Sequence, residues 1–328
     1  MTILVIDVPA EHSGALTILN QFISEFKRDK DNNYIVVIST PRYEDTSNVS
    51  FINFEWVKKS HVHRIYFDKI IVPKLVKRFK PDKLLSLQNN AFNVKGIYQE
   101  VYFQNALPIA EKRFSFFESK SLWIYQNLIG RTVKHSLKYA DKVIVQAEWI
   151  KNALISKWGL KESNVLIKRP DAATFESVKK YCPTALFYPA NGSLYKNHLT
   201  LIKSLLPLWT EYNAPTLKLT GRKEMLPLEC RELLEDKKFP VTFMGRLSKD
   251  EIQKEYETNI LVFPSYIETV GLPLMEAKIV GAKILAADCA YAREAIGDYS
   301  NAEFFHPFDV EQLTSLIREN CKKERIIS

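Results

Sequence analysis

The run NILVFPSYIETVGLPLMEAKIVGAKILAAD, Asn259 to Asp288, decides how the chain reads. Ile260 to Phe263 is an apolar run of strand length, and Pro264 ends it because proline has no N–H to give to a ladder. Ser265 to Val270 is loop, and Gly271 lets backbone approach a ligand. Pro273 suits the first turn of a helix, where its missing N–H would have had no partner. Met275, Ile279 and Val280 supply that helix with an apolar side, and Gly281 stops it. Open α/β sheets bind ligands at the carboxyl ends of their strands. The amides at Gly271 and Leu272 therefore suit phosphate oxygens. Glu276, about one turn inside the helix, is placed to accept paired hydrogen bonds from a sugar diol, and Glu268 faces the group beyond the phosphates. Singly, Glu268 reads as well as a solvent-facing loop carboxylate, and Glu276 as a helix-stabilising charge. Combined with the Gly-Leu-Pro turn and the strand-ending proline, they read as a site.

Outward from this junction the same alternation repeats. Toward the amino terminus stand the apolar runs Ile3–Val8, Asn33–Ser39, Pro81–Asn89, a run ending near Gln104, and Val143–Gln146, separated by helix-like segments. The pattern restarts with Ala185–Tyr188, Thr216–Thr220, Val241–Phe243 and Ile284–Ala287. Short strands alternating with amphipathic helices predict βαβ units and mostly parallel sheets. Pro170, Pro183 and scattered charges interrupt the pattern over 165–182. This predicts an α/β chain of two doubly wound domains, 1–170 and 171–328.

With 46% hydrophobic and 26% charged residues the chain reads as a soluble globular protein. It has no apolar run approaching membrane-span length, and MTILVIDVPAEHSG has no basic leader. Cys182, Cys230, Cys289 and Cys321 are scattered, which fits a reducing compartment better than a disulfide framework or a metal site. His61 and His63 lack the neighbouring ligands a metal needs. Zinc-finger spacing, a strict G-x-G-x-x-G and a P-loop lysine are all missing, so nucleic acid and the usual dinucleotide or P-loop chemistry are disfavoured.

Charge is unevenly spread: residues 1–170 hold 26 Lys and Arg against 16 Asp and Glu, and residues 171–328 hold 20 against 22. Much of the excess lies between Lys58 and Lys83, where Ile70, Ile71, Leu75, Val76 and Phe79 form an expected apolar stripe among lysines. Such a stripe suits an anionic membrane surface, or an ordinary core-facing helix with solvated lysines.

ETVGLPLMEA, bracketed by Glu268 and Glu276, resembles the E-x7-E signature of retaining GT-B glycosyltransferases, in particular family GT4, the glycosyl transferases group 1. YPANGSLYKNHLTLIKSL, LTGR, VTFMGRLSKDEIQKEYETNILVFPS, AADCAYAREAIGD and FFHPFDVEQLTSLI agree with it. EHSGALTILNQF resembles the family's amino-terminal glycine loop, and ADKVIVQAEWIKNALISKWG its last strand–helix pair before the linker.

The resemblance implies two Rossmann-like domains facing a cleft. The first would bind acceptor and the second a nucleotide sugar, with the last helix packing back on the first. It implies that Glu276 holds the donor ribose, Glu268 lies by the donor sugar, the Gly271–Leu272 backbone meets the diphosphate and Lys196 neutralises it. Gly14 would let the first-domain loop pass close to the donor.

Two departures stand out. Where the family often has an arginine, five positions before the loop lysine, stands Asn191, with Arg222 and Arg246 as replacements and Arg246 preferred. Where it often has a histidine, in VYFQNALP, stands Gln104, and His12 is an alternative.

The implied reaction moves a hexosyl group, with retention, from a UDP- or GDP-sugar to a hydroxyl of a lipid-linked or oligosaccharide acceptor. It uses no cofactor and no metal, since Lys196 and Arg246 neutralise the leaving diphosphate. Relatives serve lipopolysaccharide, O-antigen or capsule synthesis, which implies a cytoplasmic enzyme peripheral on the inner face of the plasma membrane. A sugar-nucleotide epimerase, a phosphorylase and a non-catalytic nucleotide-sugar-binding protein remain as alternatives.

Overall fold

A computed structural model describes residues 1–11, 13–170, 175, 185–211, 214–235 and 239–323. The chain divides into two compact units, Met1–Arg169 and Pro170–Ser328.

The first unit is a seven-stranded parallel sheet of β1 (Thr2–Asp7), β2 (Asn33–Ile38), β3 (Val49–Asn53), β4 (Lys83–Ser86), β5 (Tyr98–Phe103), β6 (Lys142–Val145) and β7 (Val165–Ile167), ordered β3-β2-β1-β4-β5-β6-β7. Its helices are α1 (Ser13–Arg28), α2 (His61–Tyr66), α3 (Val72–Phe79), α4 (Lys120–Ile124), α5 (Gly130–Ser136) and α6 (Glu148–Trp158). Central strands are apolar throughout because both faces are covered. Leu19, Phe22, Ile23 and Phe26 of α1 pack on Ile3, Val5, Val36 and Leu85. On the other face, Phe67, Val72 and Leu75 cover Leu4, Ile6 and Leu84, while Val133, Leu137, Ile150 and Leu154 cover Val101, Phe103 and Val143. Ser86 pairs with Val101, and Leu84 lies two residues before Ser86, so these two clusters share one face.

The basic helix corrects one expectation. Leu75 is buried and Ile71, Val76 and Phe79 pack partly buried against the core, together with Phe67 and Val72, but Ile70 is 41% exposed. A π turn at Phe67–Ile71 inserts a residue between α2 and α3. It brings Phe67 and Val72, five apart, to the same side and turns Ile70 outward, so the expected stripe fails at that one residue.

Asp7 ends β1 almost wholly buried, its Oδ2 meeting no donor among the described residues. Burial raises its pKa from 3.8 to about 8, against the pull of Arg64, the Ala10 amide and Lys58. The folded chain therefore holds this proton more tightly than the unfolded one. That contribution to stability is full below the unfolded pKa and is lost as pH rises toward the folded value, at ~1.4 kcal/mol per pH unit. Asp7→Asn is expected to raise the urea midpoint at pH 8, with the gain shrinking toward pH 4. An equal midpoint at both pH values would refute a buried neutral carboxyl.

The second unit is a six-stranded parallel sheet of β8 (Ala185–Tyr188), β9 (Leu217–Leu219), β10 (Val241–Phe243), β11 (Asn259–Phe263), β12 (Ile284–Ala287) and β13 (Ala302–Phe305), ordered β10-β9-β8-β11-β12-β13. Its helices are α7 (His198–Leu205), α8 (Leu228–Leu233), α9 (Lys249–Thr258), α10 (Leu272–Val280), α11 (Ala290–Ile296) and α12 (Val310–Lys323). Strand order reverses between β8 and β11, which makes their carboxyl ends the switch point of the sheet. The last helix lies on its own unit: Thr314 Oγ1 donates to the Ser204 carbonyl at 2.9 Å, and Asn320 to Glu303 at 3.0 Å.

Candidate functional site

The junction after β11 sits at this switch point. Gly271 opens α10 with φ +74°, and a Cβ there would stand 3.0 Å from the Tyr291 ring. Glycine is thus required by backbone handedness and by the ring behind it, quite apart from any ligand. The helix seats Leu274, Ala277 and Val280 in the core, while Met275 and Ile279 are only partly buried.

Glu268 and Lys196, 72 residues apart in sequence, are brought together. Lys196 Nζ donates to Glu268 Oε1 at 2.5 Å, with side chains 15% and 16% exposed. The loop carrying Lys196 is stitched to the end of β11. Tyr188 donates its hydroxyl to the Lys196 carbonyl at 2.6 Å, the Tyr266 amide donates to the Tyr195 carbonyl at 3.1 Å, and Ser265 Oγ to that same carbonyl at 3.2 Å. Asn197, at φ +59°, gives its side-chain amide to the carbonyls of Pro264 (3.1 Å) and Pro307 (2.6 Å). Asparagine is one of the few residues that tolerates the left-handed region and can still reach outward with two donors. Tyr291 donates to the Ser265 carbonyl at 2.5 Å.

Glu276 accepts a hydrogen bond from the Tyr256 hydroxyl at 2.9 Å. Tyr256 is fully buried between Phe175 and Phe187. Burial raises the Glu276 pKa, with the Tyr256 hydroxyl and the charge of Lys249 pulling it back. Tyr256, Asn197, Tyr188 and Tyr291 were not singled out in the sequence. The N-H pair after Lys196 was a legible signal for a left-handed cap, whereas the tyrosines read as ordinary apolar residues until strand order placed them beneath the loops.

Asn191 is exposed and accepts the Ser193 amide at 3.1 Å, forming a local turn. Gly221 and Gly245 bridge the loops after β9 and β10 through amide–carbonyl bonds of 2.7 and 3.1 Å. Arg222 and Arg246, each one residue further on, are therefore neighbours along the carboxyl edge and are both exposed. Strand order puts Arg222 on the loop adjacent to β8 and Arg246 one strand beyond.

In the first unit, Gln104 donates Nε2 to the Leu87 carbonyl at 2.7 Å, so one end of its amide is committed to the backbone. Gly14 is the second residue of α1 rather than part of a preceding loop. His12 lies outside the described residues. A groove of ≈ 380 Å³ lined by Arg42, Asn53, Glu55, Trp56 and Lys59 opens after β3. Among the described residues no cluster of three His, Cys, Asp or Glu side chains is arranged to hold a metal ion. Nor is any helix among them long and apolar enough to cross a membrane.

No curated protein matches the chain by sequence. Solved structures match in fold. Sucrose-phosphate synthase from Thermosynechococcus elongatus shares 15% identity at TM-score 0.71, over 99% of this chain and 90% of that one. The apo form of the lipopolysaccharide outer core galactosyltransferase WaaB shares 14% at 0.67, over 99% and 91%. Anabaena Alr3699/HepE, in complex with UDP-glucose, shares 15% at 0.65, over 99% and 91%. The chain spans 51% of the length of TarM, which it matches at 0.60. Residues 173–326 thus match a glycosyl transferases group 1 domain, and the chain as a whole has the GT-B fold, built from two Rossmann-like units.

Proposed function

We propose that the chain transfers a sugar, with retention, from a nucleotide sugar held by the second unit to a hydroxyl of a lipid-linked acceptor held by the first. The observation that carries this is the pairing of Lys196 with Glu268 at the switch point, beside the start of α10 and on the same junction as Glu276. On binding, Lys196 exchanges Glu268 for the diphosphate, and the Leu272 amide adds a second donor. Arg222 or Arg246 supplies further positive charge. Preorganised donors stabilise the charge that grows on the leaving diphosphate. Glu268 is then released toward the donor sugar, and Glu276 holds the ribose diol. The acceptor hydroxyl attacks from the face the nucleotide leaves, and a phosphate oxygen takes its proton. In this reading cationic side chains and amides neutralise the leaving group, and no metal is needed. The UDP-glucose complex of HepE supports a nucleotide-sugar donor, and WaaB supports a lipopolysaccharide-type acceptor.

Tyr256 tests the ribose assignment. Tyr256→Phe removes the hydroxyl that holds the Glu276 pKa down, so Glu276 should stay protonated to a higher pH. Nucleoside diphosphate affinity, measured by calorimetry, is expected to fall about tenfold, roughly the worth of one charge-assisted hydrogen bond. Its decline at acid pH should begin at higher pH than in the wild type. A uniform loss with an unshifted pH profile would count against Glu276 as the ribose ligand. Product analysis with labelled donor separates transfer from epimerisation and phosphorolysis.

The acceptor is lipid-linked in this reading because α2 presents Val62, Ile65 and Tyr66 to solvent, continued by Ile70 within the π turn. Lys58, Lys59, Lys69, Lys74 and Lys77 lie on the same stretch of chain. Such a face suits an anionic membrane, which supports a peripheral enzyme on the cytoplasmic leaflet.

A further inference from the structure

The segment Lys112–Leu128 of the first unit plays no part in the donor site, yet it is closely braced. The buried Gln126 accepts the Phe114 amide at 2.9 Å and donates to the carbonyls of Leu107 and Lys112 at 3.1 and 3.0 Å. Arg113 donates to the carbonyls of Pro108 and Gln126 at 3.1 and 3.0 Å. Glu118 accepts the Ser115 amide and the Lys112 ammonium, each at 2.7 Å. This bracing holds Phe114 in the interior and the next rings outside, Phe116 at 46% and Phe117 at 97% exposure. Phe116 stands edge-on to Trp123 at 5.6 Å, with the Lys120 ammonium 5.8 Å from its ring.

A loop whose polar groups are satisfied and whose tip is a fully exposed aromatic ring is shaped for an apolar phase. Residues 111–138 carry six Lys or Arg (Lys112, Arg113, Lys120, Arg131, Lys134, Lys138) against Glu111 and Glu118, which complements anionic headgroups. The segment follows the carboxyl end of β5, as α2 follows that of β3, and both crossovers lie on one face of the sheet.

We propose that the Phe116–Phe117 tip is a second membrane-contacting element, entering the lipid interface while its basic neighbours meet anionic headgroups. The inference rests on the membrane reading above and adds to it a contact that is apolar rather than electrostatic. One weak anchor gives only marginal, reversible binding, whereas two on one rigid unit act together.

The test is co-sedimentation with phosphatidylethanolamine vesicles containing phosphatidylglycerol, at low and high salt. Phe116→Ser with Phe117→Ser is expected to weaken partitioning by about ten- to a hundredfold at both salt levels. The melting temperature should not change, because the tip covers no core. Charge-removing substitutions of Lys58, Lys59, Lys69, Lys74 and Lys77 should weaken partitioning at low salt only. Phe117→Trp should add vesicle-dependent emission, quenched by brominated lipid, that the wild type lacks. Wild-type partitioning by the double variant, or no quenched component, would overturn the tip while leaving α2 standing. A wild type that sediments with no vesicle would overturn both and point to a protein partner.

Discussion

Replacing Lys196 by alanine is expected to lower turnover of the donor by about 10²–10³, the usual worth of one preorganised group at a developing oxyanion. The change removes the cation assigned to the diphosphate, and it also strands Glu268, whose side chain is only 16% exposed. Breaking one side of a desolvated pair costs more than deleting both, because the remaining charge has lost its partner. Lys196→Ala should therefore melt lower than the double variant Lys196→Ala, Glu268→Gln. The double variant should recover stability and none of the turnover. That split separates a catalytic cation from a structural ion pair. Turnover of Lys196→Ala within threefold of wild type, in a donor-consumption assay with UDP- and GDP-sugars, would remove Lys196 from the site.

Gly192→Ala is expected to be the most disruptive small substitution in the second unit. A Cβ at this position would stand 1.6 Å from the Met225 carbonyl oxygen and 2.4 Å from its carbon. These are backbone atoms, and the turn to which they belong is closed by the Met225 amide bonding the Arg222 carbonyl at 3.0 Å. Neither side can yield by rotating a side chain. Either the loop from Pro189 to Lys196 or the turn at Arg222 must move, at a cost of about 3 kcal/mol, the upper end for overpacking. Donor affinity should fall with stability, because the same loop ends in Lys196. The control is Gly281→Ala, where φ is +91° but nothing lies within 4 Å of the added atom. It should cost only about 1–2 kcal/mol of backbone strain. Equal losses for the two variants would show that the contact at Met225 is not limiting.

These two positions differ in how the sequence exposes them. Lys196 stands in a loop between a buried strand and a helix, and the E-x7-E junction that it meets is punctuated by Pro264, Gly271 and Pro273. Such residues act locally, by fixing φ or removing a donor, so their effect survives translation from sequence to structure. Gly192 carries no such mark, since its necessity comes from Met225, thirty-three residues on.

The same distinction holds across the molecule. Alternating apolar runs predicted two parallel sheets, because strands covered on both faces must be apolar throughout. The strands at Val49–Asn53, Val165–Ile167 and Ala302–Phe305 went unread because each lies at a sheet edge, where most residues are only partly buried and no continuous apolar run is needed. In the basic helix, periodicity misled at Ile70, because the π turn at Phe67–Ile71 changes the repeat without any proline or glycine to announce it.

By itself, then, the sequence determined the class of sheet and the Pro264–Ala277 junction, which depend on local backbone chemistry and on which segments must be buried. Tertiary structure alone decided that Lys196 meets Glu268, that Tyr256 holds Glu276, that Gly192 has no room, and that Phe117 faces outward. Each of these depends on which distant element lies opposite, and that is set by strand order and packing rather than by any residue's own preferences.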